Sequence, residues 1–417
     1  MGCDIAVLCP TGHQTRVIRG ITVLEQSAFN PLNALSDAIS RFDPVFIVPG
    51  DERVSHHLHH LHASGTAQER RLIERSLGAP EHYATTVSRV KLLETAQRLD
   101  IRIPVGQAVT NTADLVGWLD RVPAPWVFKV EGSWGGMGVI TVATRKAAFA
   151  AHRRLRRQSN PASAAFRMAI NRDAYWMAAW LGSGPAEVSV QSFIEGCPGD
   201  LAMFCWEGEV LAAVMGEAVV SIGENRPTSI IRLINRPDIM EAATRLARDM
   251  GLTGFYGLDF MIEAATNRVF LLEMNPRPTA LTNIRVEPGR DLLGALVTTL
   301  SGAPCPAPAR LPESALVAYF PQAWQEGGDP DETHPGAFHD IPSNQPALMA
   351  EMLRPRWPER RFLARLEHRF WRTVNSTVGF MKNSPRPLNG KPGRYRKHPR
   401  ENAEPSPPTA QGGQEAL

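Results

Sequence analysis

The chain has 417 residues, 43% of them hydrophobic and 21% charged, with a formal net charge of +3. That length allows two or three domains with real cores, and so small an excess charge gives no ground for a nucleic-acid partner. No apolar run reaches the roughly 18–20 residues that cross a bilayer, and the start "MGCDIAVLCP" lacks the basic segment of a secretory signal.

In chain order, "DIAVLC" (4–9) and "PVFIVPGDE" (44–52) read as short buried strands followed by turns. Helical patterns at 31–41 and 53–63 alternate with them, which argues a small parallel α/β unit over roughly 1–85. A helix at about 86–99 places Val90, Leu93, Ala96 and Gln97 on one side and stops before Pro104. "WVFKV" (126–130) and "GVITVA" (138–143) are strands around the glycine-rich turn "EGSWGGMG". Residues 146–158 form a basic helix. "EVSVQSFI" (187–194), "DLAMFCWEG" (200–208) and "EVLAAVMGEAV" (209–219) read as antiparallel strands, with Glu207–Gly208 as a hairpin turn. After a helix at 237–250, the strands 251–263 and 268–275 are joined by "AATN", and 289–302 is a helix. A proline-rich linker covers 303–315. A helix at 359–373 and a disordered tail from 383 follow. The five cysteines, Cys3, Cys9, Cys197, Cys205 and Cys305, show no metal-type spacing and read as reduced thiols of a cytoplasmic protein.

The stretch "FLLEMNPRPT" (270–279) carries the most chemistry. Glu273, Asn275 and Arg277 alternate, so an extended backbone aims all three one way. Asp259 lies 14 residues before Glu273, and pairing of the two strands around 264–267 brings these carboxylates together. Two adjacent carboxylates repel unless a proton or a cation intervenes, and Mg²⁺ takes one or two carboxylates plus phosphate oxygens. Arg277 has no lone pair for a metal and suits a neighbouring anion. A salt-bridged strand end with an ordinary turn is the alternative. In "VFKVEGSWGGMGV" (127–139) a strand lysine, Lys129, precedes a loop whose glycines let backbone N–H groups approach phosphates. The motif is neither a P-loop nor a dinucleotide fingerprint, and a plain glycine-rich hairpin is its alternative.

Taken together, the strand lysine with its glycine loop, "QSFIEG", and "GLDF" followed by "LLEMNPR" resemble the ATP-grasp superfamily over roughly 85–300. They are most similar to the ATP-binding region of carbamoyl-phosphate synthase and biotin carboxylase. The resemblance implies an α/β (α+β) ATP-grasp fold, two subdomains gripping ATP, after a small Rossmann-like domain at 1–85. The ATP-grasp domain would run 86–302, with a lid at about 105–190 and a larger subdomain at about 191–302. A C-terminal extension at 316–382 and the tail 383–417 would follow.

The resemblance also implies roles. Lys129 and the loop residues Gly132, Ser133, Gly135, Gly136 and Gly138 would hold the phosphates of ATP, with Arg89 beside them and Lys91 as its rival. Gln191, Phe193 and Ile194 would bound the adenine, Gln191 standing where the family usually has glutamate. Asp200 would meet the ribose. Asp259, Glu273 and Asn275 would hold Mg²⁺ (or Mn²⁺), and Arg277 would be catalytic with Lys129. The implied activity is an ATP-dependent carboxylate–amine or carboxylate–thiol ligase that forms an acyl phosphate and releases ADP and phosphate. A kinase of the same fold and a non-catalytic ATP-binding regulator are the alternatives. Small-molecule carboxylates and amines are the expected partners, Arg232 or Arg285 are candidates to meet a substrate carboxylate, and a homodimer stays open.

Two other features have plainer readings. His56, His59 and His60 share a helix side without a carboxylate or cysteine to complete a metal site, so the stretch reads as a solvated helix face. The basic segment 354–400 could contact an anionic membrane or an acidic partner. Its pattern better suits a helix packing Phe362, Leu366 and Phe370 onto the body.

Overall fold

The computed structural model describes residues 4–26, 30–132, 138–158, 186–221, 228–286, 290–303, 315–326 and 334–354, together with 311 and isolated residues between 161 and 181. All belong to one compact unit. Ser133, Gly135 and Gly136, most of the proline-rich linker, the helix expected at 359–373, the basic stretch beyond 354 and the tail lie outside the described residues.

The N-terminal part pairs β1 (Ala6–Pro10) with β2 (Thr22–Gln26) in parallel. Helices α1 (Pro31–Phe42), α2 (Glu52–Ser64) and α3 (Ala67–Leu77) follow. Leu58 and Leu61 of α2 meet Ile39, Ile73 and Leu77 in one core. Asp51 caps α2 by accepting from the Val54 N–H, and Thr66 with Glu69 forms a capping box on α3; such caps satisfy backbone donors that a helix start leaves free. The strand expected at 44–52 is absent, and the second strand is 22–26 instead. Phe46 stacks on Trp206 and the Ile47 N–H donates to the Ser76 hydroxyl at 2.9 Å. That apolar run has no sheet partner; Phe46 and Ile47 are half-buried while Val45 and Val48 are exposed, and the segment delivers Asp51 and Glu52 to a helix N-terminus.

Gly78 locks this part onto the rest. Its φ is +90°, and a Cβ there would sit 2.1 Å from the Gly251 carbonyl oxygen. Ala79 N–H donates to that same carbonyl, and the Tyr256 hydroxyl donates to the Leu77 carbonyl. Gly78→Ala is expected to destabilise by about 2–4 kcal/mol through left-handed strain and backbone collision, read as a lowered urea midpoint.

The expected helix at 86–99 is two pieces, α4 (Tyr83–Thr86) and α5 (Arg89–Arg98). Leu92 and Ala96 are the residues α5 buries, not Leu93 and Gln97. A four-stranded antiparallel sheet is then built from β3 (Gly106–Ala108), β4 (Trp126–Val130), β5 (Val139–Val142) and β6 (Val188–Ser192), in the order β3-β6-β4-β5. Helices α6 (Thr112–Arg121) and α7 (Arg145–Gln158) contribute Leu115, Trp118 and Leu155 to a core with Trp126, Phe128 and Val130 of β4. With a side-chain period of two, Lys129 falls on the other face of β4.

Among the described residues the larger sheet has seven strands in the order β11-β10-β7-β8-β9-β12-β13. They are β7 (Gly196–Trp206), β8 (Glu209–Ser221), β9 (Thr228–Ile234), β10 (Gly254–Glu263), β11 (Val269–Asn275), β12 (Leu316–Tyr319) and β13 (Phe338–Asp340). Glu207 and Gly208, both with positive φ, form the two-residue turn between β7 and β8. Leu201, Met203, Leu258, Phe260 and Leu271 face α5 and the helix α8 (Pro237–Asp249). Ala202, Phe204 and Phe255 face the other way, toward Leu292 of α9 (Leu292–Ser301). β12, from the segment expected as a C-terminal extension, pairs with β9 and is followed by α10 (Gln322–Glu326). Finally α11 (Pro346–Met352) packs near the N-terminus, where Gln345 exchanges hydrogen bonds with the backbone of Arg19. Among the described residues no helix is long and apolar enough to cross a membrane.

Candidate active site

Three carboxylates lie abreast on neighbouring strands. Asp259 is the register partner of Glu273 on one side and of Asp200 on the other. The pairing around 264–267 expected from the sequence is thus present, and β7 supplies a third acid. Two residues oppose one at this point: Phe260 pairs with Leu271, so Leu272 is the extra residue. This bulge lets Leu271 face the core while Glu273 and Asn275 share the face of Asp259. The face is an inner one, in line with Ala202 and Phe204, so the acids sit where the sheet's apolar core ends.

The cations come from elsewhere. Arg89 opens α5, and its side chain is only 9% exposed. A positive residue at a helix N-terminus is unfavourable alone. Glu131 answers it, accepting from the Arg89 backbone N–H at 3.1 Å and pairing with its guanidinium at 3.8 Å. Arg89 Nη2 also donates to Glu273 at 3.4 Å. Arg89 Nε is buried without a hydrogen-bond partner, a costly state that an anionic ligand would relieve. Lys91 is exposed, so of the two rivals Arg89 reaches the site. Lys129 is 6% exposed. Asn275 donates to Asp259 at 3.1 Å and accepts from Arg277 at 3.2 Å.

These groups line a cavity of about 470 Å³. Its walls include Glu52, Arg89, Glu131, Gly132, Asp200, Asp259, Glu273, Asn275, Arg277 and Tyr319. Lys129 lies behind them, in electrostatic reach of Glu273, Asp259 and Arg89. Gln191, Phe193 and Ile194 are not among the lining residues. Gln191 sits in β6 between Gly106 and Val127, while Phe193 is 41% exposed. Gly138 accepts from the Val130 N–H at the base of the glycine loop. Arg232 is tied to Glu217 at 2.9 Å and, like Arg285, does not line the cavity.

Sequence reasoning missed Glu52, Glu131 and Tyr319. The histidine helix also needs correcting. His59 stacks on Tyr83 at 4.4 Å, His62 pairs with Glu74, and His56 lines the cavity. Burial depresses His56 to about 4 and His59 to about 3, so only His60 belongs to a solvated face.

Electrostatics show what the cavity lacks. Burial, and then the charge of Glu273, pushes Asp200 up to about 6. Burial and both neighbouring acids push Asp259 well above the usual range. Glu52 and Glu131 are also raised by burial, against the pull of Arg277 and Arg89. Only Glu273 is held low: burial raises it, but the charges of Arg89 and Lys129, together with hydrogen bonds to Asp259 and Arg89, outweigh that burial. Four strained carboxylates form a site short of positive charge. Their oxygens are the donors a hard cation takes. Among the described residues no group of three or more His, Cys, Asp or Glu side chains is arranged to hold a metal alone. Because Asp200 binds protons more tightly folded than unfolded, its burial costs nothing below the unfolded value of 3.8 and destabilises fully above about 6. Mg²⁺ with ADP is therefore expected to raise Tm more at about pH 7.5 than at about pH 5, measured by scanning fluorimetry.

Among the described residues, Cys9, Cys197 and Cys205 are free thiols. Residues 178–281 match the sequence family described as the ATP-grasp domain. The fold is similar to the biotin carboxylase domain of 2-oxoglutarate carboxylase from Hydrogenobacter thermophilus, solved with MgADP, ADP and bicarbonate (10% identity, TM-score 0.54, covering 76% of this chain and 68% of that one). It is likewise similar to N5-carboxyaminoimidazole ribonucleotide synthetase from Thermus thermophilus (14%, 0.51, 73% and 74%). A third is biotin carboxylase from Campylobacter jejuni in its β-γ-ATP complex (12%, 0.52, 73% and 67%). At such identities the likeness is one of fold, and no curated protein sequence matches the chain. The domain match and the likeness of fold agree: this chain carries an ATP-grasp domain and has the ATP-grasp fold.

Proposed function

We propose that the chain is an ATP- and Mg²⁺-dependent ligase. It activates a carboxylate as an acyl phosphate, passes it to an amine or thiol, and releases ADP and phosphate. The observation that carries this reading is the single cavity where Asp259, Glu273 and Asn275 stand with Arg89 and Arg277, with Lys129 behind them.

A carboxylate repels nucleophiles and has no leaving group; a transferred phosphoryl supplies one. Asp259, Glu273 and Asn275 would hold Mg²⁺, which neutralises phosphate charge when bound. Arg89 and Lys129 position and neutralise the phosphates in a site largely closed to water, where fixed charge acts strongly. Arg277 balances charge at the acceptor. Gln191, Phe193 and Ile194 are assigned to adenine, Asp200 to ribose, and the glycine loop from Gly132 to Gly138 to the phosphates. A domain boundary at 85 and a cytoplasmic location belong to the same reading. Purified protein with MgATP and pooled carboxylates and amines is expected to release ADP and phosphate. AMP with pyrophosphate would refute the ligase chemistry, and ADP without free phosphate would mark a kinase.

A further inference from the structure

One charged centre of the cavity is not used by the nucleotide. Glu52, the first residue of α2, accepts through a single oxygen, Oε1, from Arg277 Nε at 3.1 Å and Nη2 at 3.0 Å. The contact spans 225 positions of sequence and is fixed from both sides. Ser55, on the same turn of α2, is buried and donates to the Pro276 carbonyl at 2.8 Å. Arg277 also donates to Asn275 Oδ1 and to the Pro278 carbonyl, each at 3.2 Å. A guanidinium has five N–H groups, so these four bonds leave at least one free. Among the described residues Glu52 Oε2 has no hydrogen bond. Both side chains line the cavity and remain about a quarter exposed, 27% for Arg277 and 25% for Glu52. A ligand entering there meets a cation and an anion side by side, each held in place and each with an unfilled valence.

Resting on the ligase reading, we propose that this end of the cavity binds a zwitterionic amino acid, its carboxylate on Arg277 and its ammonium on Glu52 Oε2. A simple carboxylate or bicarbonate is the poorer match. Glu52 already neutralises Arg277, and four more carboxylates (Asp200, Asp259, Glu273 and Glu131) line the same cavity. A lone anion would add to that repulsion, whereas a zwitterion brings its own cation. Glu52 itself is raised by burial and by the charges of Glu273 and Asp51; an ammonium group would favour its ionised form.

The test is calorimetric titration of the full chain, with and without MgADP. The probes are the standard amino acids, their deaminated acids, their decarboxylated amines, and bicarbonate. Amino acids are expected to bind at least about tenfold more tightly than analogues lacking either charge. Glu52→Gln, which keeps size and an acceptor oxygen, is expected to collapse the gap between an amino acid and its deaminated acid while MgADP still binds. Glu52→Asp serves if that variant does not fold, and the wild-type series decides without either. Deaminated acids or bicarbonate binding as well as amino acids would overturn the assignment, as would an unchanged gap in Glu52→Gln. Amino-acid discrimination without any MgADP binding or phosphate release would instead keep the zwitterion site and overturn the ligase reading.

Discussion

Asp259→Asn is expected to cut Mg²⁺-dependent phosphate release from ATP by at least about a hundredfold, the usual scale for losing one fixed charge at a phosphoryl-transfer site. The unliganded protein should meanwhile hold or gain thermal stability. Asp259 is buried between two other acids, Asp200 and Glu273, and its ionised form is disfavoured by both. Asparagine keeps the shape and the oxygen that accepts from Asn275, but removes the repulsion. Function and stability then move in opposite directions, as at sites that hold like charges for a ligand. Glu273→Gln should lose activity by a similar factor and lose stability as well. Glu273 is the one acid of the row that neighbouring cations hold low, and its removal weakens the compensation of a guanidinium already short of partners. Phosphate-release assays and melting curves on the two variants check both halves. A stabilised Glu273→Gln with a destabilised Asp259→Asn would contradict this charge assignment.

Lys129→Met is expected to reduce phosphate release by at least about a hundredfold and to remove a pH dependence of nucleotide binding. Lys129 is buried, and burial followed by the nearby charge of Arg89 lowers it to about 8, though Glu273, Asp259 and Glu131 oppose the shift. Between about 8 and its unfolded value the unfolded chain holds more protons than the folded one. This residue therefore makes the empty protein more stable as pH rises through that window. For the ligand the sign reverses, because phosphates favour the charged amine. Affinity for MgADP should fall as pH climbs above about 8 in the wild type and stay flat in Lys129→Met. Titrations at a neutral and an alkaline pH separate the two.

The acid row was largely legible in the sequence because its geometry is local. A short polar turn fixes a hairpin, and a hairpin fixes cross-strand partners. That logic placed Asp259 opposite Glu273. It could not place Asp200 beside them, since the β7–β10 pairing joins segments separated by a helix and another hairpin. Glu52 was hidden for the same reason, its partner lying 225 residues on. The apolar run 44–48 misled because a short apolar stretch looks like a buried strand; here Val45 and Val48 are exposed, and the Ile47 N–H donates to the Ser76 hydroxyl instead of a ladder. β9, β12 and β13 are short strands that flanking composition does not announce. The histidines misled in the opposite sense. A polar residue can be half-buried when its ring is stacked, as His59 is on Tyr83.

The pairing of β12 with β9 also bears on where this protein can be cut. Leu316, Val317 and Ala318 cover Arg232, Ile231 and Ile230. A chain truncated at the proline-rich segment would leave β9 as a bare hydrophobic margin with unmet backbone donors and acceptors. Such a margin recruits strands from other molecules, so a shortened version would be prone to self-association even with Asp259, Glu273, Asn275 and Arg277 all retained.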